Sequence, residues 1–123
     1  MKIQESAENY LETILILSQR QPQVRSIDIA NELGFSKPSV SVAMKNLRLA
    51  NLVVVDHDGH ITLTPEGLAT AAKIYERHTL ITKILKKLGV DERVAAEDAC
   101  RIEHVISEES FAAVREYCRD KLS

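Results

Sequence analysis

The chain has 123 residues, 45% apolar and 28% charged, with 16 Lys and Arg against 18 Asp and Glu for a net charge of −2. That length supports one compact domain or two small lobes and needs neither disulfide nor metal merely to fold. The charge balance excludes a strongly basic, non-specific nucleic-acid binder, and the longest apolar runs, Ile14–Leu17 and Leu52–Val55, are too short to cross a bilayer. With no charged-then-apolar leader and only two cysteines, Cys100 and Cys118, a cytoplasmic protein without a disulfide framework is expected.

The first helix is predicted from about Glu5 to Gln19, where Tyr10, Leu11, Ile14 and Leu17 recur at helical spacing before Pro22 stops it. Ser26 reads as the cap of a short helix with Ile27, Ala30 and Leu33 facing inward and Gly34 as its left-handed exit. Ser36 caps the next helix, with Pro38 in its first turn and Val40, Ala43, Met44, Leu47 and Ala50 as its buried stripe to about Asn51. Two β-branched runs, Leu52–Val55 and Ile61–Thr64, flank the Asp-Gly turn of a hairpin. Thr64 caps a long helix to about Lys87, ended by Gly89. Asp91 starts another through Ile106, and Ser107 caps a last one to about Lys121.

The expected fold class is mostly α. Helix, short helix, glycine turn, capped helix and hairpin is the order of a winged helix-turn-helix, assigned to residues 1–67, with a helical second domain over residues 68–123. From Leu33 through Val55 there are three bases, Lys37, Lys45 and Arg48, and no acid. A basic island in a mildly acidic chain marks a phosphate-facing surface. Ser36, Lys37, Pro38, Ser39, Ser41 and Val42 form the end of the helix that would meet base edges in the major groove of double-stranded DNA. Lys45 and Arg48 follow one and two turns later, placed for backbone phosphates. No Arg or Asn stands at the front of that helix for a bidentate base contact, so sequence preference would rest on fit and DNA shape.

The chemistry of the second half lies in Cys100-Arg101-Ile102-Glu103-His104. Positions i, i+3 and i+4 share a helix face, so a thiol, a carboxylate and an imidazole converge as half of a divalent-metal site. His78, or the pair Asn9 and Glu12 on the first helix, are candidates for the other half. Each has a bland alternative: Cys100 as a small core residue, the others as solvated or hydrogen-bonded surface groups. Cys118 lacks ligand-spaced partners and reads as packing. An enzyme with Cys100 as nucleophile and His104 as base is disfavoured, because two residues on one turn rarely present the required angle and no oxyanion-type loop is nearby.

Glu8-Asn9-Tyr10-Leu11-Glu12, Ile29-Ala30-Asn31-Glu32-Leu33, Leu63-Thr64-Pro65-Glu66-Gly67, Arg77-His78 and Ala99-Cys100-Arg101-Ile102-Glu103-His104-Val105-Ile106-Ser107 together resemble the diphtheria toxin repressor family of metal-dependent regulators, its manganese-responsive branch included. The resemblance covers nearly the whole chain, and C-x-x-E-H-x-x-S is its most specific part. It implies a homodimer with an N-terminal winged helix and a helical metal-binding and dimerisation lobe, without the SH3-like third domain of longer members. Metal in that lobe would switch on operator binding and repress metal-homeostasis genes. Carried over by position, Asn9, Glu12, His78, Cys100, Glu103 and His104 fall on metal ligands. Asn9 departs from the Met of iron-responsive members and the Asp of manganese-responsive ones. Glu12 follows the manganese branch and Cys100 the iron branch, and Thr82 and Ala96 replace the carboxylate and histidine of the ancillary site. A thiolate among nitrogen and oxygen donors favours Fe²⁺ as the signal, with Mn²⁺ next. The alternative is a metal-independent winged-helix regulator that senses oxidation, with Cys100 as the sensing thiol, or an organic ligand.

Overall fold

The computed structural model describes residues 5–119 and 121. Among them are six helices and one hairpin: α1 Glu5–Arg20, α2 Ser26–Leu33, α3 Lys37–Leu49, β1 Val53–Val55, β2 Ile61–Leu63, α4 Pro65–Lys87, α5 Glu92–Ile102 and α6 Glu108–Cys118. The chain divides into two compact units, Met1–Ala72 and Lys73–Ser123, with the boundary inside α4.

In the first unit, Leu11, Ile14 and Leu17 of α1 meet Ile29 and Ala30 of α2, Val40, Met44 and Leu47 of α3, and Val53 and Ile61 of the hairpin in one core. Local chemistry sets the ends of these helices. Gly34 takes the left-handed φ of 71° and its N–H bonds the Ala30 carbonyl at 2.8 Å, which stops α2. The Ser36 hydroxyl accepts from Ser39 N–H and Pro38 lies in the first turn, which starts α3.

The start of α2 differs from the sequence expectation. Ser26 lies inside the helix, and the Asp28 carboxylate reaches back to the Arg25 N–H at 2.9 Å instead. The inward face is shifted with it, so Ile29 is fully buried and Ile27 is 38% exposed. Ala50 is likewise exposed, because α3 ends at Leu49 and Asn51 turns the chain at a φ of 62°.

The hairpin pairs Val53 with Leu63 and Val55 with Ile61. Its turn is held by Asp56, whose Oδ1 accepts from the Asp58 and His60 N–H groups at 2.9 and 2.8 Å. Those bonds, with the His60 backbone first, hold the Asp56 carboxyl below its usual pKa. At the other end, Thr64 Oγ1 accepts from Gly67 N–H and donates to the Asn51 carbonyl, which starts α4 beside the hairpin. Gly67 sits so close to Leu52 that a Cβ there would run into its carbonyl.

The second unit packs Ile81, Ala99 and Phe111 as its core, with Leu80, Leu85, Ile102 and Ile106 against them. Asp91 and Ser107 cap α5 and α6 through their side chains. Helix α5 ends at Ile102, earlier than the Ile106 expected from periodicity, and residues 103–105 form a turn. No described helix is long and apolar enough to cross a membrane.

Candidate metal centre and nucleic-acid interface

The early end of α5 does not scatter the residues that spacing had grouped. Glu103 keeps helical backbone angles and its N–H still bonds the Ala99 carbonyl, so it stays one turn beyond Cys100. One donor atom from each of Cys100, Glu103 and His104 lies within 4.8 Å of the others. His78 joins them from α4, with Nδ1 at 2.8 Å from Glu103 Oε1. An ionised carboxylate only accepts, so in that bond His78 Nδ1 is the donor.

The burial of this group is unusual for its chemistry. The Glu103 and His104 side chains are 0% and 1% exposed, and His104 Nε2 lies 3.4 Å from Glu103 Oε2. Glu103 Oε2 is buried with no hydrogen-bond partner. A buried carboxylate oxygen in that condition costs about 1–3 kcal/mol, a cost that persists in natural proteins where the group serves something else. The thiol of Cys100, the Glu103 carboxylate and the His104 imidazole, with His78 on the carboxylate's other oxygen, are a donor set that fits a divalent transition-metal ion.

Asn9 and Glu12, the two first-helix candidates, lie on α1 in the first unit, Asn9 half-buried and Glu12 7% exposed. Cys118, read as packing, is half-buried at the end of α6. The wing tip also gathers Asp56, Asp58 and His60, but Asp56 is engaged by the turn's own N–H groups and the cluster is largely exposed.

Sequence reasoning passed over Arg77 as a working residue. It is 6% exposed, and its Nη1 donates to the carbonyls of Glu103 and Ile106 at 3.1 and 2.9 Å. The available signal was a charged residue in the apolar stripe of α4, between the buried Ala71 and Ile74 on one side and Ile81 on the other.

The candidate DNA residues Ser36, Lys37, Pro38, Ser39, Ser41, Val42, Lys45 and Arg48 are all exposed on or just before α3. The Ser36 and Ser39 hydroxyls bond one another at 2.9 Å, so both are oriented by the cap. Val42 is 60% exposed and lies outside the core. A groove of about 220 Å³ is lined by Ser26, Ser41, Met44, Lys45, Arg48 and Val55.

Residues 2–61 match the family described as iron dependent repressor, N-terminal DNA binding domain, and residues 64–120 match iron dependent repressor, metal binding and dimerisation domain. The chain is 34% identical over 111 residues to the transcriptional regulator MntR of Escherichia coli, an alignment covering 90% of this chain and 72% of that one. It is 33% identical over 106 residues to the diphtheria toxin repressor of Corynebacterium diphtheriae, covering 85% and 47%. The solved structure of the manganese regulator SloR superposes with a TM-score of 0.82 at 29% identity, covering 97% of this chain and 55% of that one. The chain therefore spans about half the length of those last two proteins.

Proposed function

The chain belongs to the iron-dependent repressor family of metal-dependent transcriptional regulators, and on that premise we propose that it is a repressor whose hold on operator DNA is switched on by a divalent transition-metal ion. The observation that carries the proposal is the buried Glu103 with its orphaned Oε2, set among Cys100, His104 and His78. A bound cation supplies two positive charges and a fixed set of ligand directions. Cys100 gives up its thiol proton on ligation, so affinity falls as the pH falls. His78 keeps its proton on Nδ1 and offers Nε2, held in orientation by Glu103 Oε1. Asn9 and Glu12 enter as further ligands on the family resemblance alone. The thiol of Cys100 favours Fe²⁺ over Mn²⁺ as the physiological signal.

The DNA side of the proposal places α3 in the major groove of a double-stranded operator, with Lys37, Pro38, Ser41 and Val42 toward base edges and Lys45 and Arg48 on phosphates. The working form is a homodimer, which presents the basic island twice. Coupling is reciprocal, so operator DNA tightens metal binding by the factor by which metal tightens DNA binding. Substitution tests the site: Glu103→Ala and His104→Ala remain folded and lose metal-stimulated DNA binding in an anisotropy titration. Metal stimulation of wild-type strength in either folded variant contradicts the assignment.

A further inference from the structure

Resting on the metal reading above, we infer that Arg77 is the positioning residue of the ligand turn, holding Glu103 and His104 in register before an ion arrives. The turn begins where α5 ends, at Ile102, and the last carbonyls of a helix lack partners of their own. The two hydrogens of Arg77 Nη1 meet the carbonyls of Glu103 and Ile106, which bracket His104 and Val105. A cation at this position also complements the negative end of the α5 dipole. Beneath it, the Phe111 ring of α6 lies 5.5 Å from the guanidinium carbon, on the helix that Ser107 starts directly after the turn.

Next along α4, His78 bonds the Glu103 side chain while Arg77 bonds the Glu103 backbone. Adjacent residues of one helix thus grip both ends of the same ligand. Both Nη1 hydrogens of this buried guanidinium go to the turn that carries the donors, whereas its Nε is buried without a hydrogen-bond partner. Cys100 differs, because it lies within α5 and its position owes nothing to the clamp.

The test titrates cobalt(II) into the full chain and follows both affinity and the thiolate-to-cobalt absorption. Arg77→Met is expected to bind cobalt roughly 10–100-fold more weakly, the usual loss when a residue supporting metal ligands is removed. Arg77→Lys, which keeps a cation and N–H donors on a shorter reach, falls between it and wild type. The thiolate band per bound cobalt is retained in both. Glu76→Gln weakens the paired bonds from Arg115 that join α6 to α4, without touching the turn, and binds cobalt as wild type does. Wild-type affinity in both Arg77 variants overturns the inference.

A second measurement needs no variant. In the metal-free wild-type protein, the Val105 and Ile106 amides, both bonded to the Ile102 carbonyl at 3.0 Å, exchange as slowly as those of α5. Fast exchange there means the turn is not preset and overturns the inference even if both variants fail to fold. Failure of the wild-type protein to bind cobalt refutes the metal reading instead, and slow exchange in that case leaves the clamp standing.

Discussion

Replacing Glu103 with glutamine separates stability from function at the proposed metal centre. The side chain is 0% exposed, with Oε1 bonded to His78 and Oε2 buried beside His104 Nε2 at 3.4 Å. Glutamine has the same shape. Its oxygen still accepts from His78 Nδ1, and its amide nitrogen replaces the orphaned acceptor with a donor facing His104. Removing the unmet oxygen stabilises the metal-free protein by about 1–2 kcal/mol, or roughly 4–8 °C in a domain of this size. Metal reverses the ranking. With the ion at 100 times its Kd the wild-type protein gains about 2.7 kcal/mol, and the variant gains almost none of it. Thermal melts in chelator and in saturating Mn²⁺ or anaerobic Fe²⁺ read both effects. A glutamine variant less stable than wild type in chelator shows that Oε2 carries no desolvation cost, and one that keeps the metal-dependent gain shows that Glu103 is not a ligand.

Gly67→Ala drives a Cβ into the Leu52 carbonyl and costs about 1–3 kcal/mol, seen as a lower melting temperature with unchanged metal affinity for the folded protein. Ser36→Ala removes the α3 cap and costs about 1 kcal/mol, measured by urea unfolding. Arg48→Ala removes one proposed phosphate contact and lowers the slope of log K against log salt by about 0.9, with little change in sequence preference. Asp56 has its folded pKa depressed, so its stabilisation of the hairpin is fully present above the ordinary value of 3.8 and is lost as the pH falls through the lower folded value. The His60 amide shift, which reports that carboxylate, should titrate with a midpoint below 3.8, and a midpoint at or above it contradicts the geometry.

Much of the first unit was legible because its punctuation is local. Gly34, Ser36, Pro38 and Thr64 act within a few residues of themselves, and each takes the role its chemistry dictates. The misreadings arose where two local signals competed. Ser26 has the look of a cap, yet Asp28 can reach back to Arg25 from inside the helix, and that choice turns Ile29 inward in place of Ile27. Periodicity ran α5 on to Ile106 because Ile102 and Ile106 do pack together against the second core, although the chain between them is a turn.

At the site, i, i+3 and i+4 spacing sufficed to bring Cys100, Glu103 and His104 together, since Glu103 remains helical in backbone angles past the last helical residue. The bond from His78 to Glu103 and the grip of Arg77 on the turn join residues 25 or more apart in sequence, which no local pattern encodes. For Arg77 only the interruption of an apolar stripe by a charge was available.

The metal-gated hold on DNA is read out by anaerobic fluorescence anisotropy on a promoter pool. The protein is titrated in chelator and then at buffered free Fe²⁺, Mn²⁺ and Zn²⁺. Binding is expected only with metal, is lost again when chelator is added back, and needs the lowest physiological free concentration for Fe²⁺. Binding of equal strength in chelator and in every metal contradicts metal gating.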